Sequence, residues 1–388
     1  MKSLNIPYNP RLDQLRWLAA TIVFLYHFHL QLRVLGMGLD SAWWGIVTEG
    51  HTGVGLFFTL SGFLFMQIAL HKQEIDYREF VRNRFLRIFP LFLAVFLLAT
   101  SISRDSFEPQ DILYLLASNL GFSPTSDTVI TGAAWTISLE FTFYLVFPFI
   151  ARFALERGLA YLGGLMLLML FFKVAAYTVN EKSTLMFFST FVGRFDQFLV
   201  GMGAALLLAR GGDALRRVAP VLAPLALLLA VANSAMQAGY APFDPASRSA
   251  FWIIWPTLES AGWALVIVGW VSLDLRLPRW IDQVLVHGGK ISFSFYLLHM
   301  AVLHVLFQQL AHVTLTGNAY ADAGIMLAAA YGGCWAVATL SYHVIEEPFL
   351  RMRRSYGADK APERPAGSVV GQVPSGRQKS AQRRSTLS

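Results

Sequence analysis

Three ionisable residues near the start of the chain have types and spacing suited to chemistry inside a membrane helix. Asp13, Arg16 and His27 lie in a largely apolar stretch. Arg16 and His27 are eleven positions apart, which at about 100° per residue puts them on one helix face, roughly 16 Å apart along the axis. The pattern predicts a cation at a helix mouth, positioned by Asp13, and an imidazole well inside. A snorkelling arginine and a hydrogen-bonded structural histidine are the alternative.

A carboxylate that could serve this imidazole follows in segment 135–144. If this segment enters the membrane from the outer side at Trp135, Glu140 lies about 8–10 Å deep. His27, counted from the inner side, lies at a similar depth. Pairing with Glu140 would fix the imidazole tautomer and raise its basicity, as general-base catalysis requires. The alternative is a buried glutamic acid neutralised by protonation.

Two arginines mark a candidate anion site. Arg84 and Arg87 are three positions apart, just before Pro90, and share one helix face. Planar guanidinium groups suit bidentate contacts with phosphate. A basic loop retained on the inner side of a membrane explains the same residues equally well.

Four more polar positions belong to predicted spans or their ends. Tyr296 precedes His299 by about one helical turn, near the middle of a span. Ser61 lies in a segment rich in small residues, where packing is favoured over a nucleophilic role. Glu347 precedes Pro348 and so predicts a helix end with a structural role. We assign Trp135 a positioning role as well.

The composition requires a membrane to hold these residues. The 388 residues are 55% hydrophobic and 14% charged, against about 25% charged in a soluble domain. Apolar runs of about 20 residues are long enough to cross a bilayer as helices. The fold class is therefore an all-α, polytopic membrane helix bundle of about ten transmembrane helices. The predicted spans are 14–34, 51–71, 86–103, 133–153, 159–178, 186–209, 217–238, 250–272, 290–312 and 322–346.

The distribution of charge predicts the topology. Nine Lys or Arg and two Asp or Glu follow from Arg351 onward and account for the whole net charge of +7. We expect 1–350 to be the membrane domain and 351–388 a disordered basic cytoplasmic tail, and no nucleic-acid partner. With both termini inside, the inner loops before the tail hold 16 basic residues and the outer side six. These six are Arg33, Arg104, Lys173, Lys182, Arg194 and Arg248. The predicted location is the cell inner (plasma) membrane, as a multi-pass protein.

Other features narrow the chemistry. The longest outer loop, 104–132, contains an apolar piece, 112–116, that is too short to span. No zinc-binding or nucleotide-binding motif is present, so we assign no metal site.

Taken in order, these segments resemble the membrane-bound acyltransferase-3 family. The matching pieces are 12–16, 26–28, 57–63, 84–90, 135–140, 143–144, 292–299 and 347–348. The resemblance implies transfer of an acyl group, usually acetyl, from cytoplasmic acyl-CoA to a hydroxyl of a surface glycan or a secreted metabolite. Acyl-CoA would be a donor substrate, with no tightly bound cofactor. Trp17 departs from the family, where a small residue is common, and could alter helix packing.

The hypothesis that follows puts the donor at the inner mouth. Arg84, Arg87 and Arg16 would contact the phosphates of acyl-CoA, and the pantetheine arm would extend along the first helix.

The reaction would take place deeper in the bundle. His27 would act as general base on the acceptor hydroxyl, oriented by Glu140, and Tyr296 or His299 would stabilise the developing oxyanion. Direct transfer and a covalent acyl-enzyme both stay open.

The rival hypothesis is a transporter or flippase for a glycan or small solute, because ionisable residues in spans also mark proton relays. The chain shows no internal repeat of the kind that many transporters have. The expected partners are acyl-CoA, a glycan or glycolipid acceptor such as lipopolysaccharide or exopolysaccharide, and membrane lipid. The acceptor, the oligomeric state and any separate extracytoplasmic partner stay open.

Overall fold

The protein is described by a computed structural model that covers residues 5–39, 41–102, 135–180, 183–244, 246–310 and 316–356. Its regular elements over these ranges are all helical, with no strand. The all-α prediction is therefore confirmed. The loop 104–132 with its apolar piece, and residues 357–388 of the predicted tail, lie outside the described residues.

Long helices carry the fold, and we label nine in the described ranges α1 to α9. They are α1 Pro10–Val34, α2 Thr52–Lys72, α3 Tyr77–Ile102, α4 Trp135–Arg157, α5 Leu159–Val179, α6 Phe191–Tyr240, α7 Phe251–Ser272, α8 Arg279–Leu310 and α9 Ala319–Ser341. Short helices add Gly45–Thr48 and Ser183–Ser189, and α9 continues through a π-helix, Tyr342–Glu346, into Glu347–Leu350.

Seven of the described helices are long and apolar enough to cross a membrane. These are α2, α4, α5, α6, α7, α8 and α9 with its continuation to Leu350. α1 and α3 are not among them, and each carries several charged residues in its first half. The 50-residue α6 is interrupted at Gly211 (φ −116°, ψ 20°), close to the boundary between two predicted spans. The count of ten spans remains a prediction.

Two glycines let α1 and α8 lie against each other. A Cβ at Gly289 would overlap the backbone of Asp13, and a Cβ at Gly288 would overlap the ring of Trp17. Small residues are the usual means of close helix approach in lipid. Trp17 also packs edge-on against Phe295, with ring centroids 4.8 Å apart. The bulk of Trp17 is thus accommodated by the missing side chain at Gly288, and α1 keeps its contact with α8.

Two buried ion pairs link α5, α6 and α7. Lys173 contacts Asp196 at 2.7 Å, and Arg194 contacts Glu259 at 2.9 Å, with all four side chains at most 3% exposed. The topology prediction counts Lys173 and Arg194 among the basic residues of the outer side, and the structure shows that both are buried in ion pairs between helices. Their partners, Asp196 and Glu259, lie on neighbouring helices. A count of basic residues along the sequence contains no information about such pairs.

Breaking the pair of Arg194 and Glu259 is expected to destabilise the protein. Glu259→Gln leaves the Arg194 guanidinium buried without its counter-charge, a change that costs about 3–5 kcal/mol in a buried pair. Thermal unfolding of the detergent-purified protein would show a clear loss of midpoint temperature. Glu156→Gln is the matched control, because its pair with Arg152 is exposed and should contribute about 1 kcal/mol or less. Equal midpoints for the two variants would contradict this assignment.

The two ends of the described chain meet at one end of the bundle. Asn5 Oδ1 accepts a hydrogen bond of 2.8 Å from the backbone amide of Tyr356, whose side chain is fully buried. Residues 351–356, which the sequence analysis counted with the tail, therefore pack against the bundle, and the boundary between membrane domain and tail stays a prediction. Backbone hydrogen bonds to neighbouring helices and a buried tyrosine hold 351–356 in place. We call Arg351–Tyr356 the C-terminal strap.

Candidate active site

A cavity of about 230 Å³ is lined by α1, α2, α3, α4, α8 and the C-terminal strap. It begins at the end of the bundle where Tyr8 and Arg353 lie, and it extends to Thr136 and Tyr296. Its lining carries six basic residues and two carboxylates. The basic residues are Arg16, Arg84, Arg87, Lys290, Arg353 and Arg354, and the carboxylates are Asp13 and Glu140. Such an excess of positive charge in a concave site favours a polyanionic ligand.

Arg84 is held inside a group of aromatic rings. Its guanidinium carbon lies 5.0 Å from the ring centroid of Phe65 and 5.8–5.9 Å from those of Phe80, Tyr144 and Tyr356. Nη2 donates a hydrogen bond of 2.5 Å to the hydroxyl of Tyr356. Cation–π contacts of this kind stabilise a desolvated guanidinium. Arg84 is therefore positioned at the cavity without a carboxylate partner among the described residues.

Arg87 is fixed by a carboxylate that the sequence reasoning missed. Its Nη1 lies 3.0 Å from Glu346 Oε2, and the Glu346 side chain is 1% exposed. Glu346 also accepts a hydrogen bond from Ser294 on α8, and the Arg87 guanidinium lies 5.7 Å from the Phe293 ring centroid. Both arginines of the pair predicted from the sequence therefore line the cavity. Arg87 is held by an ion pair with Glu346, and Arg84 is surrounded by aromatic rings.

Glu347, the glutamate we singled out, lies elsewhere. It contacts His343 at 2.7 Å and Arg351 at 3.0 Å, both within its own helical segment. The π-helix ends at Glu346, and Pro348 stands in the first turn of the next short helix, where its missing N–H costs nothing. The π-helix turns Glu346 rather than Glu347 toward Arg87. Glu346 and Glu347 are adjacent, and the sequence alone does not indicate which of the two contacts Arg87.

The mouth residues of α1 have the arrangement that we expected. Arg16 Nη1 donates to Asp13 Oδ1 at 2.8 Å, and the Tyr8 hydroxyl donates to the other carboxylate oxygen at 2.7 Å. Asp13 therefore orients Arg16, whose side chain is 30% exposed at the cavity. A bidentate carboxylate contact would occupy more of the guanidinium, whereas this single hydrogen bond leaves donors for a ligand.

His27 pairs with His299 rather than with Glu140. His299 Nε2 lies 3.0 Å from His27 Nδ1, and His299 Nδ1 lies 2.5 Å from the Tyr296 carbonyl oxygen. A carbonyl only accepts, so His299 carries its proton on Nδ1 and its Nε2 accepts from His27 Nδ1–H. His27 Nδ1 also lies 3.0 Å from the Val23 carbonyl. This tautomer leaves His27 Nε2 with its lone pair available.

Glu140 belongs to a different contact set. Its Oε1 accepts from the Ser61 hydroxyl at 3.4 Å and its Oε2 from the Tyr144 hydroxyl at 3.0 Å. Glu140 thus has no hydrogen bond with His27 among those of the described residues, and these contacts do not support its predicted role as the partner that orients His27. Two residues at the same depth in the membrane are in contact only if their helices are neighbours and are rotated so that the two side chains face each other. α1 packs mainly against α8 and α2, so α8 supplies the partner of His27.

Tyr296 connects the cavity with the histidine pair. Its hydroxyl accepts a hydrogen bond of 3.0 Å from Thr136, and its ring centroid lies 5.8 Å from that of His299. Tyr296 lines the cavity, whereas the two histidines lie beyond it. Trp135 packs on Phe188, with ring centroids 4.9 Å apart. Within the described part of the chain, no group of three or more His, Cys, Asp or Glu side chains could hold a metal ion.

Comparison with known proteins decides the family. Residues 9–339 match a family model described as an acyltransferase domain, of the type acyltransferase 3. The chain belongs to the acyltransferase-3 family. The family assignment predicted from the sequence is confirmed, and the chain is an acyltransferase.

Named relatives of this acyltransferase-3 member agree. Acyltransferase MdmB of Streptomyces mycarofaciens is 30% identical over 381 residues, covering 88% of this chain and 92% of the relative. O-acetyltransferase OatA of Staphylococcus aureus is 26% identical over 182 residues, covering 40% of this chain and 27% of the relative. A putative acetyltransferase of Acidianus two-tailed virus is 25% identical and covers 77% and 84%. No solved structure matches.

The acyltransferase-3 match covers only part of the site. Arg16, His27, Arg84, Arg87 and His299 fall inside it. Glu346 and the C-terminal strap follow residue 339 and lie beyond it, although they supply the carboxylate that anchors Arg87 and two of the basic residues of the cavity. Sequence reasoning missed Lys290 and the strap arginines as well, because Lys290 was counted as an inner-loop charge and the strap arginines were assigned to the disordered tail.

Proposed function

We propose that this acyltransferase transfers an acyl group, with acetyl favoured, from acyl-CoA to a hydroxyl of a surface or exported glycan. The observation that carries the proposal is a cavity with six basic residues at one end and a tyrosine next to paired imidazoles at the other. The basic end suits the phosphates of acyl-CoA. The names of two relatives, acyltransferase and O-acetyltransferase, support transfer to oxygen.

The donor would bind with its phosphates among Arg16, Arg84 and Arg87 and its pantetheine arm extending toward Tyr296. Asp13 meets Gly289 where α1 and α8 touch, and Tyr296 lies seven residues further along α8, a rise of about 10 Å. An extended arm attached to bound phosphates would span such a distance. No tightly bound cofactor and no metal is part of this proposal.

In the chemical step, His27 Nε2 would take the proton of the acceptor hydroxyl. The hydroxyl oxygen then bonds to the thioester carbonyl carbon, the carbon–sulfur bond breaks, and CoA leaves as the thiol after protonation. Tyr296 would donate a hydrogen bond to the carbonyl oxygen as negative charge develops, and His299 would hold His27 in its tautomer. Among the described residues, the hydrogen-bond partners of His27 are the Val23 carbonyl and His299, and neither is a hydroxyl or a thiol, which favours direct transfer over an acyl-enzyme.

We propose further that ten helices span the inner (plasma) membrane with both termini in the cytoplasm. The meeting of the two chain ends at one end of the bundle supports an even number of crossings. The basic residues around the same end support its cytoplasmic position, where acyl-CoA is present. Membrane lipid and a glycan or glycolipid would then be the partners, with no nucleic acid among them.

The test is release of CoA thiol by the purified protein. Turnover of acetyl-CoA that depends on added acceptor is expected, with the acetyl group found on an acceptor oxygen by mass analysis. Transport of the glycan without thiol release would instead support the transporter or flippase. Comparing the mass of surface glycans with and without this protein identifies the acceptor.

A further inference from the structure

The C-terminal strap is held in a fixed position by its backbone. Asn83 brackets Arg354 with both halves of its amide: Nδ2 donates to the Arg354 carbonyl at 2.5 Å, and Oδ1 accepts from the Arg354 amide at 3.1 Å. The Tyr356 carbonyl accepts from the Asp76 amide at 2.8 Å, and Lys72 donates to the Ser355 hydroxyl at 3.0 Å. A segment bonded in this way presents its side chains in a defined direction.

The side chains that the strap presents to the cavity are basic and aromatic. Arg353, Arg354 and Tyr356 line it, next to Arg84 and Arg87. Tyr356 accepts the hydrogen bond from Arg84, so the strap also fixes the position of that arginine. Arg351, the first residue of the strap, is turned away and pairs with Glu347.

Like charges crowd this part of the cavity. The pKa of Arg353 is lowered to about 10 by burial and by the nearby Arg84 and Arg87 guanidinium groups. Among the described carboxylates of this region, Glu346 pairs with Arg87, and Glu79 contacts the exposed Arg354 and Arg82. A cluster of cations with a net positive balance is stabilised when an anion binds among them.

We propose that the C-terminal strap recognises the ribose 3′-phosphate of acyl-CoA, with Arg353 as the direct contact. This inference rests on the proposed function, because it takes acyl-CoA as the donor. The order of groups along the donor supports it. The thioester belongs near Tyr296 and the diphosphate near Arg84 and Arg87, so the nucleotide end, with its phosphomonoester, lies furthest from Tyr296. Arg353 and Arg354 are among the cations that line the cavity, on the segment next to its mouth.

The chemistry of the phosphomonoester fits an arginine on a rigid segment. A phosphomonoester carries more negative charge near neutral pH than either phosphate of a diphosphate, and it offers three acceptor oxygens. A guanidinium matches two of them with parallel N–H donors. The strap lies beyond the matched family region, so this recognition is a property inferred from this chain's own fold.

The experiment compares the affinities of CoA and 3′-dephospho-CoA for the purified full-length protein. The wild type is expected to bind CoA about tenfold or more tightly than dephospho-CoA, because a charge-assisted contact is lost with the phosphate. Arg353→Gln should weaken CoA binding to the level of dephospho-CoA while leaving dephospho-CoA binding unchanged. Arg353→Lys keeps the charge but not the paired donors and should fall in between. Arg351→Gln, on the same strap but outside the cavity, should match the wild type.

Three results would overturn the proposal. Equal affinity of the wild type for both ligands would remove the recognition of the 3′-phosphate, while the proposed function would stand. An equal loss for both ligands in Arg353→Gln would place Arg353 at another part of the donor. Binding of neither ligand by a wild type of normal unfolding temperature would overturn the proposed function itself. The unfolding temperature of each variant separates loss of binding from loss of fold.

Discussion

Replacing His27 by alanine is expected to lower the turnover of acetyl-CoA with acceptor by about 10²–10⁴-fold, the usual contribution of a positioned general base. The affinity for CoA should stay close to that of the wild type, because His27 lies beyond the basic part of the cavity. Thiol release measures the first quantity and calorimetric titration with CoA the second. His304→Ala, five residues after His299 on α8, is the control and should keep full activity.

The histidine pair makes a second variant informative. His299 Nε2 accepts from His27 Nδ1–H, so His299→Ala should release His27 from one tautomer and lower turnover by about tenfold or more. His299→Gln offers a side-chain oxygen that can accept the same proton and should recover part of the activity. Undiminished turnover in His27→Ala would contradict the assignment of the base, and equal loss in both His299 variants would contradict its positioning by a hydrogen bond.

Helical periodicity predicted the parts of the site that lie on one helix. Asp13, Arg16 and His27 were placed on one face of α1, and Asp13 and Arg16 are indeed in contact. Arg84 and Arg87 were placed together on α3, and both line the cavity. These inferences use only the rise and rotation per residue, which the sequence determines once a helix is assumed.

Helical periodicity could not predict the contacts between different helices. Glu140 has the depth to reach His27 but not the position, because α8 rather than α4 faces that side of α1. Glu346 and Glu347 are adjacent in sequence, and only the π-helix decides which one meets Arg87. Local spacing carries no information about the packing of segments that are hundreds of residues apart.

The same limit applies to charges at the ends of spans. Lys173 was counted among the basic residues of the outer side by its place near the end of a predicted span, and it is buried against Asp196 on α6. The C-terminal strap is a second example of this limit. Arg353 and Arg354 have the composition of a disordered tail, but Asn83 and a buried Tyr356 hold them in place. Partners elsewhere in the fold decide whether a basic residue is solvated, paired or presented to a ligand.

Replacing Arg87 by alanine is expected to weaken CoA binding by about 10–100-fold, since charge-assisted hydrogen bonds contribute about 1.5–3 kcal/mol. The substitution also leaves the Glu346 carboxylate, which is 1% exposed, without its counter-charge. Loss of stability could then be mistaken for loss of a ligand contact. Titration with CoA and thermal unfolding of the same preparations keep the two effects apart.

Glu346→Gln separates these effects because it breaks the same ion pair from the other side. The Arg87 cation stays at the cavity, freed from its carboxylate, so CoA affinity should equal or exceed that of the wild type even where the unfolding temperature falls. The double variant Arg87→Ala with Glu346→Gln removes the buried unpaired carboxylate and should regain stability while binding CoA as poorly as Arg87→Ala. Arg82→Ala, on the same helix but outside the cavity, should leave affinity unchanged. If Glu346→Gln lost affinity as severely as Arg87→Ala, the pair would hold the helices together without Arg87 binding the phosphates.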